Sequence, residues 1–296
     1  MAEKKLSFAI FGNTSKALDT PQIVDILDYL VGREADIYIE QNFYHTLLKE
    51  LKKDFSIAAV FERGNFDVDY VISLGGDGTF LKAASRVGAK QIPIIGVNMG
   101  RLGFLANVTS EEVKGVLDSV FEGKYEIEER AVIQLEADGA VLENCPFALN
   151  DIAILKRDNA AMISIKASVN GEYLVTYLAD GLVISTPTGS TAYSLSVGGP
   201  IIVPQSGILS MTPVAPHSLN IRPIVINDEA EIKLEVQSRS HNFLAAVDGR
   251  SEKLSEGVTL TIKKAPHKVR IVKAYGQRFF STLREKLMWG ADTRQF

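Results

Sequence analysis

The sequence predicts an α/β domain of parallel βαβ units, then a mostly antiparallel β domain, with a final helix returning to the first domain. Three observations carry this expectation. Strand-like and helix-like apolar patterns alternate from Leu6 to about residue 124. From about Tyr125 to residue 274 the helical period nearly vanishes and period-two runs replace it: Ile163, Ile165, Ala167 and Val169; Ile232, Leu234 and Val236; Val258, Leu260 and Ile262. Beyond that, Phe280, Leu283 and Leu287 recur on one helical face. The expected domains are residues 1–124 with 275–296, and residues 125–274.

The elements follow in order. Leu6, Phe8 and Ile10 alternate ahead of a turn at Gly12-Asn13. Thr20-Pro21 supplies an N-cap and an N1 proline for a helix carrying Ile23, Val24, Ile26, Leu27 and Leu30. Ile37 to Ile39 is a short strand, and Phe43 to Leu51 resumes the helical period. The apolar, β-branched run Tyr70 to Leu74 is a buried strand that stops at Gly75-Gly76-Asp77-Gly78-Thr79. A helix with Leu81, Ala83, Ala84 and Val87 follows, then a strand over Ile92 to Val97 and a glycine-marked loop from Gly96 to Leu105. Thr109 and Glu112 make a capping box for a helix carrying Val113, Val116, Leu117 and Val120. In the β domain, Asp138-Gly139 and Asn170-Gly171 read as two-residue hairpin turns, and Phe147 to Leu149 as a strand.

Composition narrows the class. A chain of 296 residues with 46% hydrophobic and 23% charged residues builds a substantial core in one large or two medium domains. A net charge of −4 gives no pointer to nucleic acid or an anionic membrane. The N-terminus lacks a signal-type apolar core and no apolar run is bilayer-long, so a cytoplasmic protein is expected. Cys145, the only cysteine, reads as a buried thiol in an apolar context. His45, His217, His241 and His267 lack metal-ligand spacing, so no protein-held metal is expected. Neither G-x-x-x-x-G-K-[ST], G-x-G-x-x-G nor G-x-S-x-G occurs.

Two stretches carry chemistry. In Gly75-Gly76-Asp77-Gly78-Thr79, glycine amides beside a helix N-terminus can cradle an anion. Lys82, in the first turn beyond, can approach phosphate. A carboxylate repels phosphate, so Asp77 either accepts a proton, meets a metal-phosphate, or simply caps the helix. In the second stretch, Asp180 to Pro200, an apolar strand runs into the hydroxyl-rich turn Thr186-Pro187-Thr188-Gly189-Ser190-Thr191. Its hydroxyls and amides could bind ribose, phosphate or a carboxamide, and Tyr193 could add a flat face; a tight hydroxyl-capped turn explains it equally well.

These residues, in order and spacing, resemble the NAD kinase family: Gly75 to Thr79, Gly103-Phe104-Leu105, Asn150-Asp151, Asp180-Gly181, Thr186 to Ser196, Pro216-His217 and Asp248-Gly249. The resemblance runs from the first strand to the last helix. It implies a Rossmann-like α/β domain, a β-sandwich-like domain, and an active site between them. The implied reaction moves the γ-phosphoryl of ATP to the 2′-hydroxyl of the adenosine ribose of NAD. Asp77 is then the proton acceptor, Gly78 a dinucleotide contact, and Asn150 and Asp151 the pair holding ribose hydroxyls. Asp180 and the run Thr191, Ala192, Tyr193, Ser194, Leu195 and Ser196 match residues near the nicotinamide end and the ribose. Gly75, Gly76, Thr79, Phe104 and Thr188 complete the nucleotide contacts.

Many relatives carry arginine at Leu178, glutamine at Arg250 and glutamate at Asp151. Mg²⁺ riding on ATP supplies charge neutralisation for the transfer. A homodimer or homotetramer is implied, with ATP or polyphosphate as donor. A lipid kinase sharing the glycine turn, or a non-catalytic NAD-binding regulator, are the alternatives.

Overall fold

The computed structural model describes residues 5–13, 20–51, 56–100, 103–157, 161–273 and 279–290. The first part of the chain forms β1 (Ser7–Gly12), α1 (Thr20–Gly32), β2 (Asp36–Glu40), α2 (Gln41–Leu51), β3 (Ala59–Phe61) and β4 (Tyr70–Gly75). It continues with α3 (Asp77–Val87), β5 (Ile94–Asn98), β6 (Val108–Thr109), α4 (Val113–Phe121) and β7 (Glu126–Arg130). Next come β8 (Ile133–Asp138), β9 (Phe147–Ala148), β10 (Asp151–Lys156), β11 (Ile163–Val169), β12 (Glu172–Ala179) and β13 (Gly181–Ser185). A 3₁₀ turn at Thr188–Thr191 leads to α5 (Tyr193–Ser196), then β14 (Ile208–Val214), β15 (Ile224–Asn227) and β16 (Ile232–Gln237). The series ends with β17 (Asn242–Val247), β18 (Arg250–Ser255), β19 (Thr259–Lys264), β20 (Val269–Lys273) and α6 (Phe279–Leu287).

The chain divides into two units, residues 1–129 with 269–296, and residues 130–268. In the first, the strand order is β3-β2-β1-β4-β5-β20-β7, with β6 beside β5. The pairs β2–β3, β1–β2, β1–β4 and β4–β5 are all parallel. Every position of β4 and β5 is buried, which explains their unbroken apolar runs. Phe8, Ile10, Ile72, Leu74, Ile95 and Val97 pack with Ile26, Leu30, Phe43 and Leu117 from the helices. The order reverses beside β1 and β4, and ligands of such sheets lie beyond the carboxyl ends there, where β4 reaches Gly75.

The helix ends behave largely as the sequence implies. Thr109 N–H donates to Glu112 Oε2 at 3.0 Å and Glu112 N–H to Thr109 Oγ1 at 3.3 Å, completing the capping box before α4. The Thr20 side chain, expected as a cap, lies outside the described residues. The strand foreseen from Ile92 starts only at Ile94, because Pro93 has no N–H to give a ladder. On α6, Leu283 is buried but Phe280 is 57% exposed, so the expected apolar face is narrower than its spacing implied.

The second unit holds two six-stranded sheets, β15-β14-β13-β10-β17-β18 and β12-β11-β16-β19-β8-β9. Ile152, Ile184 and Phe243 of one share a core with Ile165, Leu234 and Ile262 of the other, a sandwich-like arrangement. β16 alternates buried and exposed, whereas β13 is buried throughout. On β13 the second face is covered because Val183 packs with Ala153 and Ala246, and Val197 just after α5 lies against them.

Asn170-Gly171 is the expected two-residue turn, with φ of 51° and 83°. Asp138-Gly139 is not. β8 pairs with β9 through Ile133 and Ala148, leaving residues 139–146 as a loop. Its Val141 is 90% exposed and Pro146 cannot donate to a ladder, so no strand resumes before Phe147. The strand expected over Phe147 to Leu149 ends at Ala148, and Cys145 is half-buried rather than buried. Among the described residues, no helix is long and apolar enough to cross a membrane.

Phe43 is wholly buried, and a Cβ on Gly12 would come within 2.0 Å of its ring. Phe43→Ala should cost about 3–5 kcal/mol of stability in urea unfolding. Val60→Ala, at a 40% exposed position, should change it by less than about 1 kcal/mol.

Candidate functional site

The first unit's candidate residues gather at the junction of β4 and α3. Gly76 is the N-cap of α3, in extended geometry, and its carbonyl accepts from Thr79 N–H at 3.0 Å and Phe80 N–H at 3.2 Å. Helix N–H groups earlier in the turn have no partner within the helix, and they carry its positive dipole end. Asp77 is the first helical residue, one beyond the N-cap position. Its Oδ2 accepts Phe104 N–H at 2.9 Å, and its Oδ1 accepts Leu105 N–H and Ala106 N–H, both at 3.0 Å.

The cap reading therefore gives way to a different structural role, in which the carboxylate ties down the loop that follows β5. Gly103 is needed for that approach, because a Cβ there would stand 2.0 Å from Asp77 Oδ1. Arg101 and Leu102 of this loop lie outside the described residues. A carboxylate has about four lone-pair sites, and three are engaged here, so one remains on Oδ2. Lys82 is ion-paired with Glu40 at 3.1 Å, and Glu40 also accepts Phe43 N–H at the start of α2. Phe104 lies beneath the Lys286 ammonium of α6, 4.6 Å from its ring centre.

The second unit's candidates surround a bend at Leu149–Asn150, between β9 and β10. Asp248 and Gly249 form the two-residue turn joining β17 to β18, with φ of 47° and 76°. The Asp248 carboxylate accepts three successive amides: Leu149 N–H at 2.8 Å, Asn150 N–H at 2.8 Å and Asp151 N–H at 3.2 Å. From the other side, Thr186 donates its hydroxyl to Leu149 O at 2.6 Å and its N–H to Asn150 O at 2.9 Å. Gly189 lets the hydroxyl-rich turn close on this bend, since a Cβ there would meet Asn150 O at 2.1 Å. Asn150 Oδ1 is buried without a hydrogen-bond partner.

The hydroxyl cluster divides into two groups. Ser190 is spent internally, donating to Pro187 O at 2.7 Å and accepting Ile202 N–H at 3.0 Å. Ser194 meets Thr212 Oγ1 at 3.4 Å, and Thr188 accepts from Arg130 Nη1 at 3.2 Å. Thr191, Ala192, Tyr193, Leu195 and Ser196 retain exposure. Asp180 is paired with Lys156 at 2.7 Å. Leu178 is 45% exposed, and Arg250 donates to Phe147 O at 3.0 Å while its Nε is buried without a partner.

Electrostatics joins these groups. Burial, and secondly the negative charge of Asp248, push the Asp151 carboxyl up to about 7. Asp248 is itself pushed up by burial, against the pull of its three N–H donors and of Arg250. The Tyr193 phenol is raised by burial and then by the charges of Asp151 and Asp180, so the three feel one another. Arg130 and Lys156 had no role in the sequence reading, and Asp248 entered it only as part of the Asp248-Gly249 motif. The Asp-Gly pair between alternating runs could have marked a turn at 248, but not what its carboxylate holds.

Residues 9–125 match the ATP-NAD kinase N-terminal domain and residues 149–274 the ATP-NAD kinase C-terminal domain. Over 289 residues the chain is 55% identical to an NAD kinase of Bacteroides fragilis, covering 98% of this chain and 100% of that one. The chain belongs to the NAD kinase family. It is a phosphotransferase that phosphorylates NAD to NADP using ATP, which sets aside the lipid-kinase and non-catalytic alternatives. An NAD kinase of Porphyromonas gingivalis is 43% identical over 286 residues, covering 97% of this chain and 99% of that one. The NAD kinase fold is shared with yeast NADH kinase complexed with NADH, at a TM-score of 0.88 and 23% identity, covering 99% of this chain and 90% of that one. An Archaeoglobus fulgidus NAD kinase in complex with ATP aligns at a TM-score of 0.74 and 23% identity, covering 96% and 99%.

The raised Asp151 has a consequence for stability. Between the ordinary value of 3.8 and about 7 the folded chain keeps a proton that the unfolded chain has released, so this group's contribution falls as pH rises through that window. Asp151→Asn removes the titration. Its melting temperature relative to the parent should climb from pH 4 to pH 7 and level off above, as calorimetry across that range will show.

Proposed function

We propose that Asn150 and Asp151 hold the adenosine ribose of NAD while Asp77 accepts the proton of its 2′-hydroxyl, as the γ-phosphoryl of ATP is transferred to that oxygen. The observation that carries this reading is the bend at Leu149–Asn150, where the partnerless, buried Asn150 Oδ1 neighbours the buried carboxyl of Asp151. Both are acceptors, and a ribose diol offers two donors. Asp180, Tyr193 and the exposed members of the Thr191 to Ser196 run take the rest of the dinucleotide.

The secondary hydroxyl is a weak nucleophile, so proton removal by a placed carboxylate assists its attack. The remaining demand is alignment and charge neutralisation. The N-terminal amides of α3 at Gly76, Asp77 and Gly78 supply part of it. A divalent ion such as Mg²⁺, arriving on the triphosphate as part of the substrate, supplies more. Polyphosphate offers the same anhydride chemistry as ATP. Lys82 can reach phosphate only by leaving Glu40. The cytoplasmic homodimer or homotetramer implied by the family resemblance belongs to the same proposal; a monomer in sedimentation velocity would refute the assembly.

Asp77→Asn tests the base. An asparagine oxygen can keep two of the three amide bonds and turns its NH₂ on the third, so as a brace it loses one charge-assisted hydrogen bond, worth about 1.5–3 kcal/mol of stability. Loss of a general base costs roughly 10²–10⁴-fold. The folded variant should bind NAD nearly as the parent does and form NADP at least about 10²-fold more slowly. A rate within about tenfold of the parent would leave Asp77 as a brace only.

A further inference from the structure

We propose that Asp248 is a positioning residue for the dinucleotide, acting through the Leu149–Asp151 bend that it holds. This rests on the assignment of Asn150 and Asp151 to the ribose. Successive side chains on a regular strand point to opposite faces, so a neighbouring pair can serve one ligand only where the backbone leaves extended geometry. That departure occurs at Leu149–Asn150, and its three amides are all met by one carboxylate. Asp248 N–H also donates to Asp151 O at 3.0 Å, so backbone and side chain grip the same segment.

The choice of residue separates this role from that of an ordinary turn. Positions with positive φ in a two-residue hairpin suit asparagine as well as aspartate, so the turn alone does not call for a carboxylate. Three converging donors do, because an asparagine has one acceptor oxygen and turns its NH₂ towards the remaining amide. The choice also carries an electrostatic cost. Asp248 sets a negative charge beside the buried Asp151, with Arg250 as the cation acting on it. A brace that served stability alone would avoid a second buried carboxylate there. The arrangement makes sense if the segment must stay fixed before the dinucleotide arrives.

The test compares Asp248→Asn and Asp248→Ala with Asp151→Ala and the parent, measuring KM for NAD, KM for ATP, kcat and melting temperature. Positioning predicts that both Asp248 variants raise KM for NAD by roughly ten- to hundredfold while KM for ATP stays within about twofold. A purely structural Asp248 would lower the melting temperature and leave both KM values unchanged, which overturns the inference. If Asp151→Ala raises KM for NAD but Asp248→Asn does not, positioning fails and the ribose assignment stands. If Asp151→Ala itself leaves KM for NAD unchanged, the ribose assignment falls and the inference with it. Should the Asp248 variants not fold, hydrogen exchange on the unaltered protein decides. Slow exchange of the Leu149, Asn150 and Asp151 amides before NAD is added supports the brace, and fast exchange that slows only with NAD overturns it.

Discussion

A carboxylate gathering three consecutive backbone amides is the interaction on which both candidate regions depend, and each unit has one among its described residues. Asp77 holds Phe104, Leu105 and Ala106, and Asp248 holds Leu149, Asn150 and Asp151. Irregular segments beside a ligand site lack ladder partners for their amides, and an unmet amide away from water is costly. Charge-assisted bonds to one anion satisfy three amides at once and fix the segment's path. The same device thus shapes the loop after β5 and the bend before β10.

Such braces demand close approach, which explains glycines that a phosphate cradle alone would not require. A Cβ on Gly103 would stand 2.0 Å from Asp77 Oδ1, and one on Gly189 2.1 Å from the Asn150 carbonyl oxygen. Any side chain at either position would displace the group the brace sets in place. The hydroxyls of Thr186 and Ser190 extend the logic: they hydrogen-bond backbone within the second unit, leaving Tyr193 and its neighbours to face outward. Concentrating acceptors around the bend also brings carboxylates together. Burial first, and then the charge of Asp248, push the Asp151 carboxyl up to about 7, and the Tyr193 phenol, raised mainly by burial, also feels the Asp151 charge.

The chain by itself determined the element types, the change from helical to period-two texture, the capping box at Thr109 and the Asn170-Gly171 turn. Each of these rests on residues within a few positions of one another, where propensity and periodicity act. The Gly75 to Thr79 and Thr186 to Ser196 motifs also carried the family. What the side chains of those motifs touch was decided only by tertiary structure. Asp77 meets amides 27 to 29 residues away, Lys82 meets a carboxylate 42 away, and Asp248 meets amides 97 to 99 away. Periodicity reports which face of an element is apolar. It carries no information about partners that folding brings together across such separations, so Asp248 entered only as part of the Asp248-Gly249 motif, and Phe280 as part of a buried face.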